Sequence, residues 1–208
     1  MSREVVDQSG RVLGSRALQT RIRLLEATEK LLGEQKLRDL RVTDIARHVG
    51  TSAATFYQYF RDVDDVVLCL AEETSDEMPR MLELIAGSWR GQEGLQKART
   101  LVEAFIDHWD EHRAVLRVRN LASDEGDQRF QDLRERTMQP VLEELARVIS
   151  DHHGADDPQG HPHAAAAAMA AILERLAAYH AELEVFGVTR EHLIESSAHI
   201  LHRTVTGD

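Results

Sequence analysis

Nothing in this chain restricts its fold more than the stretch Val42–Phe60, VTDIARHVGTSAATFYQYF. It reads as two short helices across a tight turn. The first, from Thr43 to Val49, gathers Ile45, Ala46 and Val49 on one apolar face. Gly50-Thr51 makes the turn, because glycine takes the positive φ that ends a helix without steric cost. Ser52 carries the side-chain acceptor of an N-cap and opens a second helix bearing Thr55, Phe56, Tyr57, Tyr59 and Phe60. Two helices joined by a short glycine-containing turn form a helix-turn-helix, the unit that lays its second helix in the major groove of DNA.

The order of residues narrows the reading. Asp44-Ile45-Ala46, then Gly50, Ser52, Thr55-Phe56-Tyr57 and Tyr59-Phe60, after a first helix containing Leu24-Leu25-Glu26-Ala27-Thr28, resembles the TetR/AcrR family of bacterial transcriptional repressors. The resemblance runs from about Ile22 to Val67, and the aromatic pattern of the second helix makes it far more specific than a generic helix-turn-helix match. It implies an all-α fold. An N-terminal three-helix DNA-binding domain would precede a C-terminal helical domain that binds ligand and dimerises.

Charge agrees with a DNA contact confined to one end. Residues 1–62 hold 11 Lys/Arg against 8 Asp/Glu, net +3; the remainder holds 14 against 28, net −14, which gives the −11 of the whole chain. A basic head on an acidic body puts nucleic acid at the N-terminus, and the body repels it. The single cysteine, Cys69, excludes an intramolecular disulfide framework and suits a reducing compartment. No run approaches the roughly 18 apolar residues of a membrane span, and no apolar secretory h-region opens the chain. A cytoplasmic protein without a membrane partner is expected.

Three segments are expected: a flexible basic arm over 1–19, the helix-turn-helix domain over 20–62, and the helical ligand-binding and dimerisation domain over 63–208. The arm, with Arg3, Arg11 and Arg16, either lies along DNA, in the minor groove, or is a solvated tail. A helix from about Gln19 to Gly33 buries Ile22, Leu25, Thr28, Leu31 and Leu32. Two departures from the family pattern follow. Lys36 stands where glycine is usual. Arg41 stands where a capping Thr or Ser is usual, so either the cap shifts or Arg41 faces phosphate.

Within the head, the second helix presents unpaired N–H groups and partial positive charge at its start, a seat for phosphate. Ala53 and Ala54 permit close approach to base edges, and Thr55 hydrogen-bonds or touches a thymine methyl. The family pattern implies that Tyr57 and Tyr59 meet the DNA backbone through their hydroxyls, in preference to packing in a small aromatic core. Arg41, Thr43, Ser52 and Arg61 complete the expected DNA-contacting set, while Phe56 and Phe60 point inward. The lysine that family members usually carry three residues after this phenylalanine is Val63 here. Asp62 and Asp65 read as an N-cap and a capping-box-like start to the next helix, so fewer phosphate contacts are expected.

The body reads as helix throughout, for about nine in all. A long helix from Asp64 to about Ser88 is kinked or divided at Pro79; Gln92–His112, Arg113–Ser123 and Asp127–Asp151 follow, the last containing Pro140. His152–Pro162 is the obvious loop, then Ala164–Phe186, stopped by Gly187, and Thr189 to about Val205. The last helix groups Leu193, Ser197, Leu201 and Val205, with Ile194, Ala198 and Ile200 beside them, more apolar surface than one core face needs. The resemblance implies a homodimer in which the last two helices pair with their two-fold mates. Such a dimer suits a palindromic operator with half-sites about 34 Å, or a multiple, apart.

A small-molecule site is expected inside the body, lined by Phe105, Trp109, Met138, Leu142, Leu173, Leu176 and Tyr179, with Asn120, Glu174, Arg175 and His180 as polar candidates. For each of these, ordinary core packing is the competing reading. The Phe105/Trp109 pair and Leu173-Glu174-Arg175 resemble the EthR-like branch of the family, which implies a lipophilic effector whose binding releases DNA. His108 and His112 share a helix face, a spacing found in zinc sites, and His152, His153, His161 and His163 flank the loop. These are read as structural or solvated, so no metal and no cofactor are assigned. No nucleophile, phosphate loop or paired catalytic residues support the alternative of a metal-dependent enzyme. A helical adaptor whose head does not bind DNA is the other alternative, kept open by Val63 and the modest head charge.

Overall fold

The computed structural model describes residues 5–153 and 161–207. Nine α-helices occur among them: α1 Ser15–Glu34, α2 Val42–Val49, α3 Ala53–Tyr59, α4 Val63–Ser75, α5 Met78–Ile85, α6 Gly91–Asp124, α7 Gln128–His153, α8 Pro162–Tyr179 and α9 Arg190–Thr206. Short 3-10 turns cover Leu37–Asp39 and Ala181–Phe186. The Val6–Val12 bridge is the one β pairing among the described residues. None of the described helices is long and apolar enough to cross a membrane.

The chain divides into two compact units, Met1–Thr74 with Arg113–Arg134, and Ser75–His112 with Glu135–Asp208. The head therefore recruits a stretch far along the chain. Its core packs Leu24, Leu25, Ile45, Val49, Phe56, Phe60, Val66 and Val67 with Val115, Val118, Phe130 and Leu133. Burying that much apolar surface is what holds the helices of the head together, since α2 and α3 are too short to be stable alone.

Several local predictions hold with shifted edges. Pro79 lies in the first turn of α5, where a missing N–H costs nothing, so the long helix is divided after Ser75 rather than kinked. The break expected at His112/Arg113 is a kink: α6 continues, but His112 has non-helical dihedrals (φ −111°, ψ 19°). Pro140 is accommodated inside α7. The helix expected to reach Phe186 changes to the 3-10 turn after Tyr179, and Gly187 ends it with φ 75°. The histidine-rich loop falls largely on residues 154–160, outside the described residues.

Two expectations about burial are corrected. Ile22 is 43% exposed, and Leu24 and Ala27 take the core positions of α1 instead, because Leu24, Leu25, Thr28 and Leu32 set the buried face and helical spacing puts Ile22 outside it. Leu193, Ile194, Ser197, Ala198, Leu201 and Val205 of α9 are all buried within the chain itself, so they form no open apolar face. Ion pairs fasten this helix inside the second unit, Arg99 to Glu195 and Arg190 to Asp107, each at 2.5 Å. Exposed apolar positions of the second unit include Ile200 on the outer side of α9, Val185 and Phe186, and the alanines Ala164, Ala167, Ala168 and Ala171 along one face of α8.

Candidate nucleic-acid interface

The turn between α2 and α3 is built as its residues dictate. Gly50 adopts φ 73°, ψ 37°, and the N–H of Thr51 donates to the Ala46 carbonyl at 2.9 Å, closing the end of α2. Arg23 reaches from α1 to donate to the Val49 carbonyl at 2.6 Å, placing a cation at the negative end of α2. Ser52 caps α3 by accepting the Thr55 N–H at 3.1 Å, and its hydroxyl also meets that of Thr55 at 3.0 Å. At Arg41 only half a capping box forms. A guanidinium has no acceptor for the helix, but the Asp44 carboxylate accepts the Arg41 N–H at 3.3 Å. The cap has not shifted, and the Arg41 side chain is exposed.

Phe56 and Phe60 anchor α3, being fully buried with ring centroids 5.5 Å apart, and the Arg21 guanidinium stands 5.2 Å over Phe60. Turned the other way, Ser52, Ala54, Tyr57 and Gln58 are exposed, with Ala53 and Thr55 half-buried. Tyr57 is 53% exposed although it touches Phe56 edge-on. Tyr59 differs: it is half-buried and packed against the head core. Thr43 and Arg61 are exposed.

Past α3, Asp62 caps α4 by accepting the Asp65 N–H at 2.7 Å. The expected reciprocal bond is displaced by one residue. The buried Asp65 carboxylate accepts the N–H of Arg61 at 2.9 Å and the Arg61 side chain at 3.2 and 2.8 Å. Burial pushes the Asp65 carboxyl up, but these bonds and the adjacent charge outweigh it and hold the group below its ordinary value. Val63 is half-buried against the same core.

The N-terminal segment contributes something the sequence reading lacked. Residues 5–13 fold back on themselves, with Gly10 at φ 81° and the Asp7 carboxylate accepting from the Ser9 N–H, the Ser9 hydroxyl and the Arg11 N–H. Gln8 then donates its backbone N–H to the Gln58 carbonyl at 3.0 Å and its side-chain amide to the Tyr59 carbonyl at 3.0 Å. Those carbonyls close the C-terminal end of α3. The Asp-x-Ser-Gly turn signature was present to be read; its partner, some fifty residues away, was not.

Of the residues nominated for a small-molecule site, Phe105, Trp109 and Leu173 are buried, and Met138, Leu142 and Glu174 half-buried, all in the second unit. Trp109 Nε1 is a buried donor with no hydrogen-bond partner among the described residues. Asn120 belongs to the first unit, where it accepts from Arg119 at 3.1 and 3.0 Å. Tyr179 is 43% exposed, with Arg175 lying 3.8 Å over its ring. His180 pairs with Asp110 at 2.8 Å. Cys69 is half-buried, and desolvation raises its thiol pKa, the reverse of a redox-reactive cysteine.

Residues 24–68 match the family model described as bacterial regulatory proteins, tetR family, and residues 81–208 match that of the tetracyclin repressor-like C-terminal domain. The HTH-type transcriptional regulator EthR of Mycobacterium tuberculosis is 30% identical over 95 residues, covering 46% of this chain and 44% of EthR. The chain thus spans less than half the length of that relative. A TetR family transcription regulator from Marinobacter aquaeolei superposes with a TM-score of 0.62 at 20% identity, over 91% of this chain and 97% of that one. FadR from Bacillus subtilis, solved with stearoyl-CoA, gives a TM-score of 0.65 at 14% identity, over 90% and 98%. At these identities the likeness to the solved structures is one of fold.

Proposed function

The chain belongs to the TetR family of bacterial regulatory proteins, and on that premise we propose that it is a homodimeric, cytoplasmic repressor that leaves a palindromic operator when a lipophilic molecule enters its body. It is a transcriptional regulator of the TetR type rather than an enzyme. The observation that carries the DNA-binding reading is the two-sidedness of α3. Phe56 and Phe60 are buried to fix the helix, while Ser52, Ala54 and Tyr57 face solvent from a properly capped N-terminus. Small residues let such a helix approach base edges, and the Tyr57 hydroxyl and Arg41 guanidinium suit phosphate oxygens. Two heads in a dimer would read half-sites about 34 Å, or a multiple, apart. The exposed alanine face of α8 and Ile200 of α9 are the surface offered to a second copy. Small side chains let helices pack closely.

The effector reading rests on the second unit. Phe105, Trp109 and Leu173, with Met138 and Leu142, supply apolar surface, and the unpaired Trp109 Nε1–H supplies one buried donor. A leftover buried donor costs about 1–3 kcal/mol. An acyl chain ending in a carbonyl oxygen would satisfy both features. FadR from Bacillus subtilis, a protein of similar fold solved with stearoyl-CoA, favours this class. Footprinting on the DNA upstream of the protein's own reading frame tests the proposal. A protected inverted repeat, occupied by two chains and released by acyl-CoA or a free fatty acid, is the expected result. A strictly monomeric protein in sedimentation at micromolar concentration would overturn the dimer, and protection indifferent to acyl compounds would overturn the effector class.

A further inference from the structure

The described residues bring together three metal-ligating side chains, all within the second unit: Glu77, His108 and His112. The two histidines are four residues apart on α6, and their rings lie 5.0 Å apart between centroids. Glu77, at the residue before α5, turns its carboxylate toward both rings. Its Oε2 is 3.0 Å from His108 Nδ1 and its Oε1 is 3.1 Å from His112 Nε2. Each of the three residues offers one ligand atom within 4.8 Å of the others.

The geometry points to a site for a divalent first-row transition metal, such as Zn(II), held by these two imidazoles and one carboxylate. Zinc bound by nitrogen and oxygen at about 2.0–2.2 Å keeps neighbouring donors about 3.3 Å apart in a tetrahedral site. The carboxylate-to-imidazole separations are already near that spacing, and the metal would replace the hydrogens now shared across them. Imidazole ligands select against Mg(II) and Ca(II), which take oxygen. Burial also fits: the His108 and His112 side chains are 8% and 16% exposed, whereas that of Glu77 is 47% exposed. Packing fixes the rings, and the carboxylate side opens to solvent, leaving an entry path and room for water as a further ligand. Occupancy would clamp the start of α5 to the kink of α6, whose non-helical residue is His112 itself.

The test is titration of the full-length, chelator-treated protein with Zn(II) by calorimetry and with Co(II) by its visible absorption. Wild type is compared with Glu77→Gln, His112→Asn and the exposed-histidine control His161→Asn/His163→Asn. The expected result is about one equivalent per chain, weakened in Glu77→Gln and in His112→Asn by at least the roughly ten- to hundredfold that losing even an outer-shell partner costs, unchanged in the control, and not displaced by Mg(II). Glu77→Gln keeps the side-chain shape at a half-exposed position, so it decides the matter even if His112→Asn fails to fold. Absence of saturable binding to wild type, equal affinity in Glu77→Gln, or loss of binding in the control would overturn the site.

Discussion

Removing the Asp65 carboxylate asks how firmly the head holds the segment that follows its reading helix. In Asp65→Ala the Arg61 backbone N–H loses an acceptor at 2.9 Å, and the guanidinium loses contacts at 3.2 and 2.8 Å. Asp65 is 9% exposed, but the Arg61 side chain is 59% exposed and is solvated with or without its partner. The loss therefore resides mainly in the backbone bond to a charged acceptor, with a contribution from an anion in the first turn of α4. Together these give about 2–3 kcal/mol, or a roughly thirty- to 150-fold rise in local opening. Hydrogen exchange at the amides of α3 and α4 is the suitable assay, because Trp89 and Trp109 both report on the second unit. Adding Arg61→Ala should leave most of the loss in place.

The pH dependence has a definite sign. Asp65 has a folded pKa below its ordinary value, so its contribution is complete above the unfolded pKa of about 3.9. It is lost as pH falls through the lower folded value. The gap between wild type and Asp65→Ala should be full at neutral pH and narrow below about pH 4. A loss under about 0.5 kcal/mol at pH 7, against the larger value expected for such a bond, would refute the reasoning. So would a gap that widens on acidification.

Val63→Lys restores a cation at the first position of α4, where its stem covers the core surface that Val63 covers now. The slope of log K against log salt should steepen by about one per head, about two for the dimer; an unchanged slope means the position does not reach phosphate. Gly94→Ala brings a Cβ within 1.7 Å of the Trp89 carbonyl oxygen. The backbone entering α6 must move, at a cost of about 1–3 kcal/mol, and emission from the fully buried Trp89 should shift to the red. Wild-type emission and stability in that variant would mean the backbone yields freely.

What the sequence made legible follows from the range over which each signal acts. Gly50, Ser52, Asp62, Thr189 and Gly187 are caps and stops that work within one turn, and each sits where its chemistry puts it. The inward pair Phe56/Phe60 was readable because helical spacing separates faces. Long-range partners left no local trace. Nothing near Gln8 announces the end of α3, and nothing near Glu77 announces two histidines some thirty residues away. Apolar residues in numbers misled: Leu193, Ile194, Ser197, Ala198, Leu201 and Val205 of α9 are all buried within the chain, and Ile22 falls off the face that Leu24, Leu25, Thr28 and Leu32 share. Asn120 reads as body by position, but Arg113–Arg134 packs with the head.

The central claim is that the exposed face of α3 reads DNA. It is tested most directly by selecting duplexes from a randomised pool with the full-length protein and repeating the selection with Tyr57→Phe. The account predicts enrichment of an inverted repeat by the wild type, with affinity that falls steeply as salt rises. The same repeat should be recovered by Tyr57→Phe at roughly thirtyfold weaker binding, the worth of two hydroxyl-to-phosphate bonds, one per head, of about 1 kcal/mol each. No enriched sequence, or wild-type binding that ignores both salt and Tyr57, would contradict it.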